Sequence, residues 1–109
     1  MSVIAALAVA VSGLHGVVMR GPTQPVCRVG IPCSAPAVGA VLVFSHAGRA
    51  VARVRVGSGG RYSVRLGPGT YTVRQPGAVT IGTGLRPAAV RVVRGLSRRV
   101  DFSIDTGIR

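Results

Sequence analysis

From Gly57 to Arg74 the chain reads GSGGRYSVRLGPGTYTVR, and apolar and polar positions alternate on both sides of a Gly67-Pro68-Gly69 break. Tyr62, Val64 and Leu66 alternate with Arg61, Ser63 and Arg65; Tyr71 and Val73 alternate with Thr70, Thr72 and Arg74. A period of two is that of a half-buried strand, so this stretch predicts a β-hairpin with one apolar and one cationic face. Upstream, AVLVF from Ala40 to Phe44 is a continuous apolar run of strand length, which reads as a central buried strand. Ala50 to Val56 places Ala52, Val54 and Val56 opposite Arg53 and Arg55, and the polar Ser45 to Arg49 turn makes these two strands a second hairpin.

Leu14 to Met19 suits a first strand with Gly16 as a bulge. Val79 to Ile81 suits a short edge strand inside the Gly- and Pro-rich span Gln75 to Pro87. Ala88 to Val93 and Val100 to Ile104, joined through Gly95 to Arg99, complete the set. No helical period of useful length follows residue 12. Six or seven short strands with half-buried alternation predict an all-β fold, an antiparallel Greek-key β-sandwich. Burying Tyr62, Val64, Leu66, Tyr71 and Val73 contributes about 1.5–3 kcal/mol each, while ordering costs about 1–2 kcal/mol per residue. The hairpin therefore needs a second sheet against it, and Val41, Val43, Val90, Val92 and Phe102 are the expected partners.

Composition sharpens this. A chain of 109 residues with 16 Gly and 7 Pro accommodates one core and many tight turns. Its 14 basic residues are all arginine, against two acids, Asp101 and Asp105, for a net charge of +12. Lys, Glu, Asn and Trp are absent. Such a potential favours nucleic acid, anionic lipid or acidic cell-wall polymer. Arginine-only cation usage with abundant Ala, Val, Gly and Pro is also what GC-rich coding DNA produces, so the charge has two explanations. The arginines are dispersed rather than gathered into the dense run of a nucleic-acid arm, which places nucleic acid behind an envelope polymer or another protein as partner. Arg53, Arg55, Arg61, Arg65 and Arg74 alternate onto the polar side of their strands and form the candidate anion-binding face; a solvated outer surface is the competing account.

Residues 1–12, MSVIAALAVAVS, are uncharged and apolar with Ala-x-Ala triplets, the pattern of a signal-peptide core without its basic start. They read as a leader remnant or, alternatively, as a retained apolar segment, and they fall short of the roughly 20 residues of a membrane span. Residues 13–105 then form the sandwich and 106–109 a tail. The span Gly21 to Gly39 holds four prolines and both cysteines. Cys27 and Cys33, in a chain with a leader-like start, read as a disulfide and place the protein outside the cytoplasm. Zinc needs three or four ligands and only His15 and His46 could add to the cysteines, so a disulfide is the expectation over a metal site, and the C-x5-C spacing is not that of a redox pair.

At GGRYSVRLGPGTYTV the sequence resembles the carboxypeptidase regulatory-like domains, transthyretin-like or prealbumin-like β-sandwiches close to the CnaB-type surface modules. The shared features are a glycine turn at Gly60, the strand Tyr62 to Leu66, the Pro68-Gly69 turn and the strand Tyr71-Thr72-Val73. The resemblance implies a transthyretin/Ig-like accessory sandwich with no catalytic residue to carry over and no cofactor. Without Lys or Asn, the isopeptide crosslink of surface adhesins is excluded. No serine sits in a G-x-S-x-G elbow and no Gly-rich run has the phosphate-loop spacing with its Lys. The expected function is a non-catalytic secreted or cell-envelope module for binding or structural display; the alternative is a basic domain that holds anionic polymer through the arginine face.

Overall fold

The longest strand is also the one that holds one whole sheet together. In the computed structural model, which describes residues 12–76 and 84–106, β1 (Gly13–Gly21) is bordered by four others. Its first half pairs with β5 (Arg61–Arg65), antiparallel, and with β9 (Ser97–Arg99), parallel. Its second half pairs with β10 (Phe102–Asp105), parallel, and with the two-residue β2 (Ala35–Pro36), antiparallel. β7 (Gly84–Arg86) adds to the far side of β10. The second sheet is fully antiparallel, in the order β4 (Arg49–Arg55), β3 (Val41–His46), β6 (Gly69–Arg74), β8 (Ala89–Val92). No α-helix occurs among the described residues; a single 3-10 turn at Ser58–Gly60 leads into β5.

The two sheets share one core. Leu14, Val18, Tyr62 and Phe102 from the first meet Leu42, Phe44, Tyr71, Val73 and Val92 from the second, all buried. Phe102 stands at the centre, edge-on to Phe44 at 6.3 Å between ring centroids and tilted against Tyr62 at 5.5 Å. Aromatic pairs in this range add about 0.5–1.5 kcal/mol beyond the area they bury. The all-β expectation and the two-layer arrangement hold.

The pairing differs from expectation in ways that matter for the site. The stretch Gly57 to Arg74 is not a hairpin: β5 pairs with β1 and β6 with β3 and β8, so the Gly67–Pro68–Gly69 connection crosses from one sheet to the other. Alternation marks the inward side of a strand but not its neighbour, and facing sheets bury Tyr62 and Tyr71 as well as a hairpin would. For the same reason β8 and β10 lie in different sheets, and Ser97 to Arg99, expected in a turn, is strand. Among the described residues ten strand segments replace the expected six or seven. Three of these have three or fewer residues beside the expected strands, and β9 and β10 keep one register on β1 around a break at Val100 and Asp101.

In β3 the inward residues are Leu42 and Phe44, not Val41 and Val43, because a continuous apolar run carries no phase of its own. Val43 points outward in a row between Arg53 and Arg74, and is buried all the same, at 2% exposure. The β3–β4 hairpin is as expected. Its turn, Ala47-Gly48, has positive φ at both residues, 52° and 78°, as a type I′ turn requires.

The leader-like residues 1–11 and the expected strand Val79 to Ile81 lie outside the described residues. Ser12 is joined to Leu66 in both directions, its Oγ and carbonyl meeting the Leu66 carbonyl and N–H at 2.7 and 3.2 Å. Among the described residues no helix is long and apolar enough to cross a membrane.

Candidate anion-binding groove

The first half of β1 positions the site. Its register puts Ser63, His15 and Arg99 in one row across the outer face of the first sheet, with Arg65, Gly13 and Ser97 in the next and Arg61 beside Val17. β4, at the edge of the other sheet, turns through Gly57 into β5, so Arg55 and Val54 come alongside Arg61 and Tyr62. The result is a surface groove of about 680 Å³. His15, Arg55, Arg61 and Arg99, from four strands, line it, with Gly16, Tyr62 and Val54 contributing apolar surface. Volumes of about 300–1,000 Å³ are typical of small-ligand sites.

Beneath His15 the ladder between β1 and the last strands is interrupted and repaired by side chains. The Val100 N–H donates to the His15 carbonyl at 2.9 Å, and the Val100 carbonyl accepts the Tyr62 hydroxyl. The Val17 N–H, which has lost its backbone acceptor, donates instead to Asp101 Oδ1 at 2.9 Å. Gly16 permits this approach: a Cβ there would lie 2.2 Å from the Val100 oxygen and 2.7 Å from Asp101 Oδ1. The bulge expected at Gly16 does not form: β1 keeps register with β5 through Gly16, and the ladder breaks instead at Val100 and Asp101 on the neighbouring chain segment.

The electrostatics follow from these bonds. The Val17 N–H, and after it the Arg99 guanidinium, hold the Asp101 carboxyl below the usual carboxylate range. Burial, and secondarily the Asp101 charge, push the Tyr62 hydroxyl above the usual phenol range. Asp101 also forms an exposed ion pair with Arg99 at 3.3 Å. Pairs of this kind are worth little and yield to a stronger anion. No carboxylate among the described residues pairs with Arg55 or Arg61. His15 Nδ1 lies 2.8 Å from Ser97 Oγ, which fixes the imidazole at the groove wall.

The five arginines expected on one face are divided between two. Arg53, Arg55 and Arg74 belong to the second sheet; Arg61 and Arg65 belong to the first, because β5 pairs with β1 rather than β6. Of the five, Arg55 and Arg61 line the groove, at the edge where the sheets come together, while Arg53 and Arg74 flank Val43 on the outer row of the second sheet. His15 and Arg99 complete it and were missed. Nothing local announces them, since β1 and β9 are joined across a separation of more than eighty residues.

Cys27 and Cys33 are joined as a disulfide, Cα atoms 5.5 Å apart. Among the described residues no group of three or more His, Cys, Asp or Glu side chains is placed to hold a metal ion. The fold and groove are those of a two-sheet β module with a basic cleft at its edge. No family model, no curated protein and no solved structure matches this chain.

Proposed function

We propose that this chain is a non-catalytic β-sandwich module, secreted or held in the cell envelope, that binds anionic polymer through the groove of His15, Arg55, Arg61 and Arg99. One observation carries the proposal: three guanidiniums and an imidazole converge from four strands onto one groove, and among the described residues the only carboxylate paired with any of those guanidiniums is that of Asp101, on Arg99. Planar guanidiniums suit phosphate and carboxylate groups, and the apolar floor suits the carbon skeleton between them. The proposal keeps the carboxypeptidase regulatory-like, transthyretin-like architecture with Greek-key connections. The crossings of β4 to β5, β5 to β6 and β8 to β9 from sheet to sheet support it. The Cys27–Cys33 bond supports an extracytoplasmic setting.

Retention on phosphate and acidic-polysaccharide resins across a salt series tests it. A polymer binder stays bound up to about 0.2 M salt and elutes with a log-linear dependence on salt; a module of pure structural display flows through at low salt.

A further inference from the structure

Residues 22–34 leave β1 at the end remote from the groove and form a stapled projection. The disulfide closes a ring from Cys27 to Cys33, and the Thr23 N–H donates to the Cys33 carbonyl at 2.9 Å, which fixes the base. Inside the ring the Ile31 N–H donates to the Arg28 carbonyl at 3.1 Å and Gly30 has a φ of 83°, so Arg28 to Ile31 is a tight turn with Val29 at its apex. Val29 is wholly exposed, and Val26 and Ile31 are 66% and 50% exposed. Unconstrained aliphatic side chains would fold back onto apolar surface, whereas the ring holds Val29 and Ile31 outward, with Val26 exposed just before Cys27. Arg28 lies in the turn itself. Arg20 and Arg86, together with both cysteines and one acid, Asp105, line a hollow of about 490 Å³ at its base, so the basic side chains there outnumber the acidic one by two to one.

We propose that this loop docks the protein on anionic lipid. Val26, Val29 and Ile31 enter the boundary between headgroups and acyl chains, and Arg20, Arg28 and Arg86 meet the phosphates. An apolar apex with a cationic collar matches the two layers of such an interface, carbon below and phosphate above. The net charge of +12 supplies the long-range attraction. A protein partner is served less well: the apex is convex, carries no aromatic ring, and offers three aliphatic side chains where a stable protein interface uses about 800 Å² on each partner. The tip is separate from the groove, whose β1 residues are His15 to Val17.

The chain has no tryptophan, so Val29→Trp introduces a sole indole at the apex. With vesicles of phosphatidylcholine and phosphatidylglycerol in equal parts, its emission is expected to shift to the blue and become quenchable by brominated acyl chains; with pure phosphatidylcholine it stays that of indole in water. Val29→Asp with Ile31→Asp lowers vesicle partition at least about tenfold and Arg28→Gln about fivefold. Both lower retention on phosphate resin by no more than about twofold, the effect of their charge change alone, and Arg55→Gln with Arg61→Gln weakens resin retention while the apical indole still shifts. A lack of sedimentation with the mixed vesicles overturns the proposal. So does sedimentation with an unshifted indole, which means docking by another face, or an indole shift produced only by a soluble acidic protein.

Discussion

Replacing Tyr62 with Phe removes one oxygen and leaves the ring in place. That hydroxyl donates to the Val100 carbonyl where β9 gives way to β10, and the ring packs on Phe102 at 5.5 Å. No ring-sized cavity opens, so the cost is that of a part-buried carbonyl deprived of its donor, about 1–3 kcal/mol. In a domain of this size each kcal/mol lowers Tm by about 4–8 °C. Tyr71→Phe is the control. Its hydroxyl donates at 2.7 Å to Gly67, four residues away in an exposed connection where water can replace it, so the loss is about 0.5 kcal/mol. The pH dependence separates the two again. The folded Tyr62 hydroxyl titrates above its unfolded value, so its contribution is complete below about pH 10 and is lost as pH rises beyond that, where the unfolded chain releases the proton first. With no Lys and both Cys in a disulfide, few other groups titrate there. Tyr62→Phe therefore flattens the alkaline limb. Urea unfolding followed by circular dichroism, at neutral pH and between about pH 9 and 11, measures both effects. Equal losses in the two variants with parallel alkaline limbs would refute the placement of β5 on β1 with Val100 in reach of Tyr62.

Gly16→Ala forces a Cβ against the Val100 carbonyl and should cost about 1–3 kcal/mol in thermal melts, with the Val17–Asp101 bond lost. Asp101 has a folded pKa below its unfolded one. Its contribution is therefore present above the ordinary Asp value near about 3.9 and disappears as pH falls through the lowered folded value; Asp101→Asn should flatten the urea midpoint over that acid limb. Ala47, a non-glycine residue at φ 52°, should give way to Asn with a gain of about 0.5–1 kcal/mol, read as a raised urea midpoint.

Where alternation was strict, the sequence named the buried side correctly: Tyr62, Leu66, Tyr71, Val73, Phe102 and Ile104 are all buried. Tyr62 and Tyr71 read alike because inward orientation is a local property, whereas the choice of sheet depends on partners far along the chain. AVLVF could not be phased for a related reason, and only the Arg53–Val43–Arg74 row shows which valine faces out. The disulfide was legible because the chain has only two cysteines, close in sequence, and few other metal-ligating side chains to join them. The groove was half legible: Arg55 and Arg61 stood out as the polar half of their strands, while His15 and Arg99 depend on parallel pairing between the two ends of the domain. The division of the arginines also follows from topology, since one wrong hairpin carries Arg61 and Arg65 to the wrong face.

The central claim is that anionic polymer is held at one groove rather than over the whole surface, and two double variants that each remove two positive charges test it directly. Arg55→Gln with Arg61→Gln strips the groove; Arg53→Gln with Arg74→Gln strips the outer row of the second sheet. Affinity for a soluble polyphosphate, measured by isothermal titration across a salt series, should fall about tenfold or more in the groove variant with a shallower salt slope, and only about twofold in the other. Equal losses in the two would contradict the account, because they would show that polymer senses the +12 net charge and not the groove.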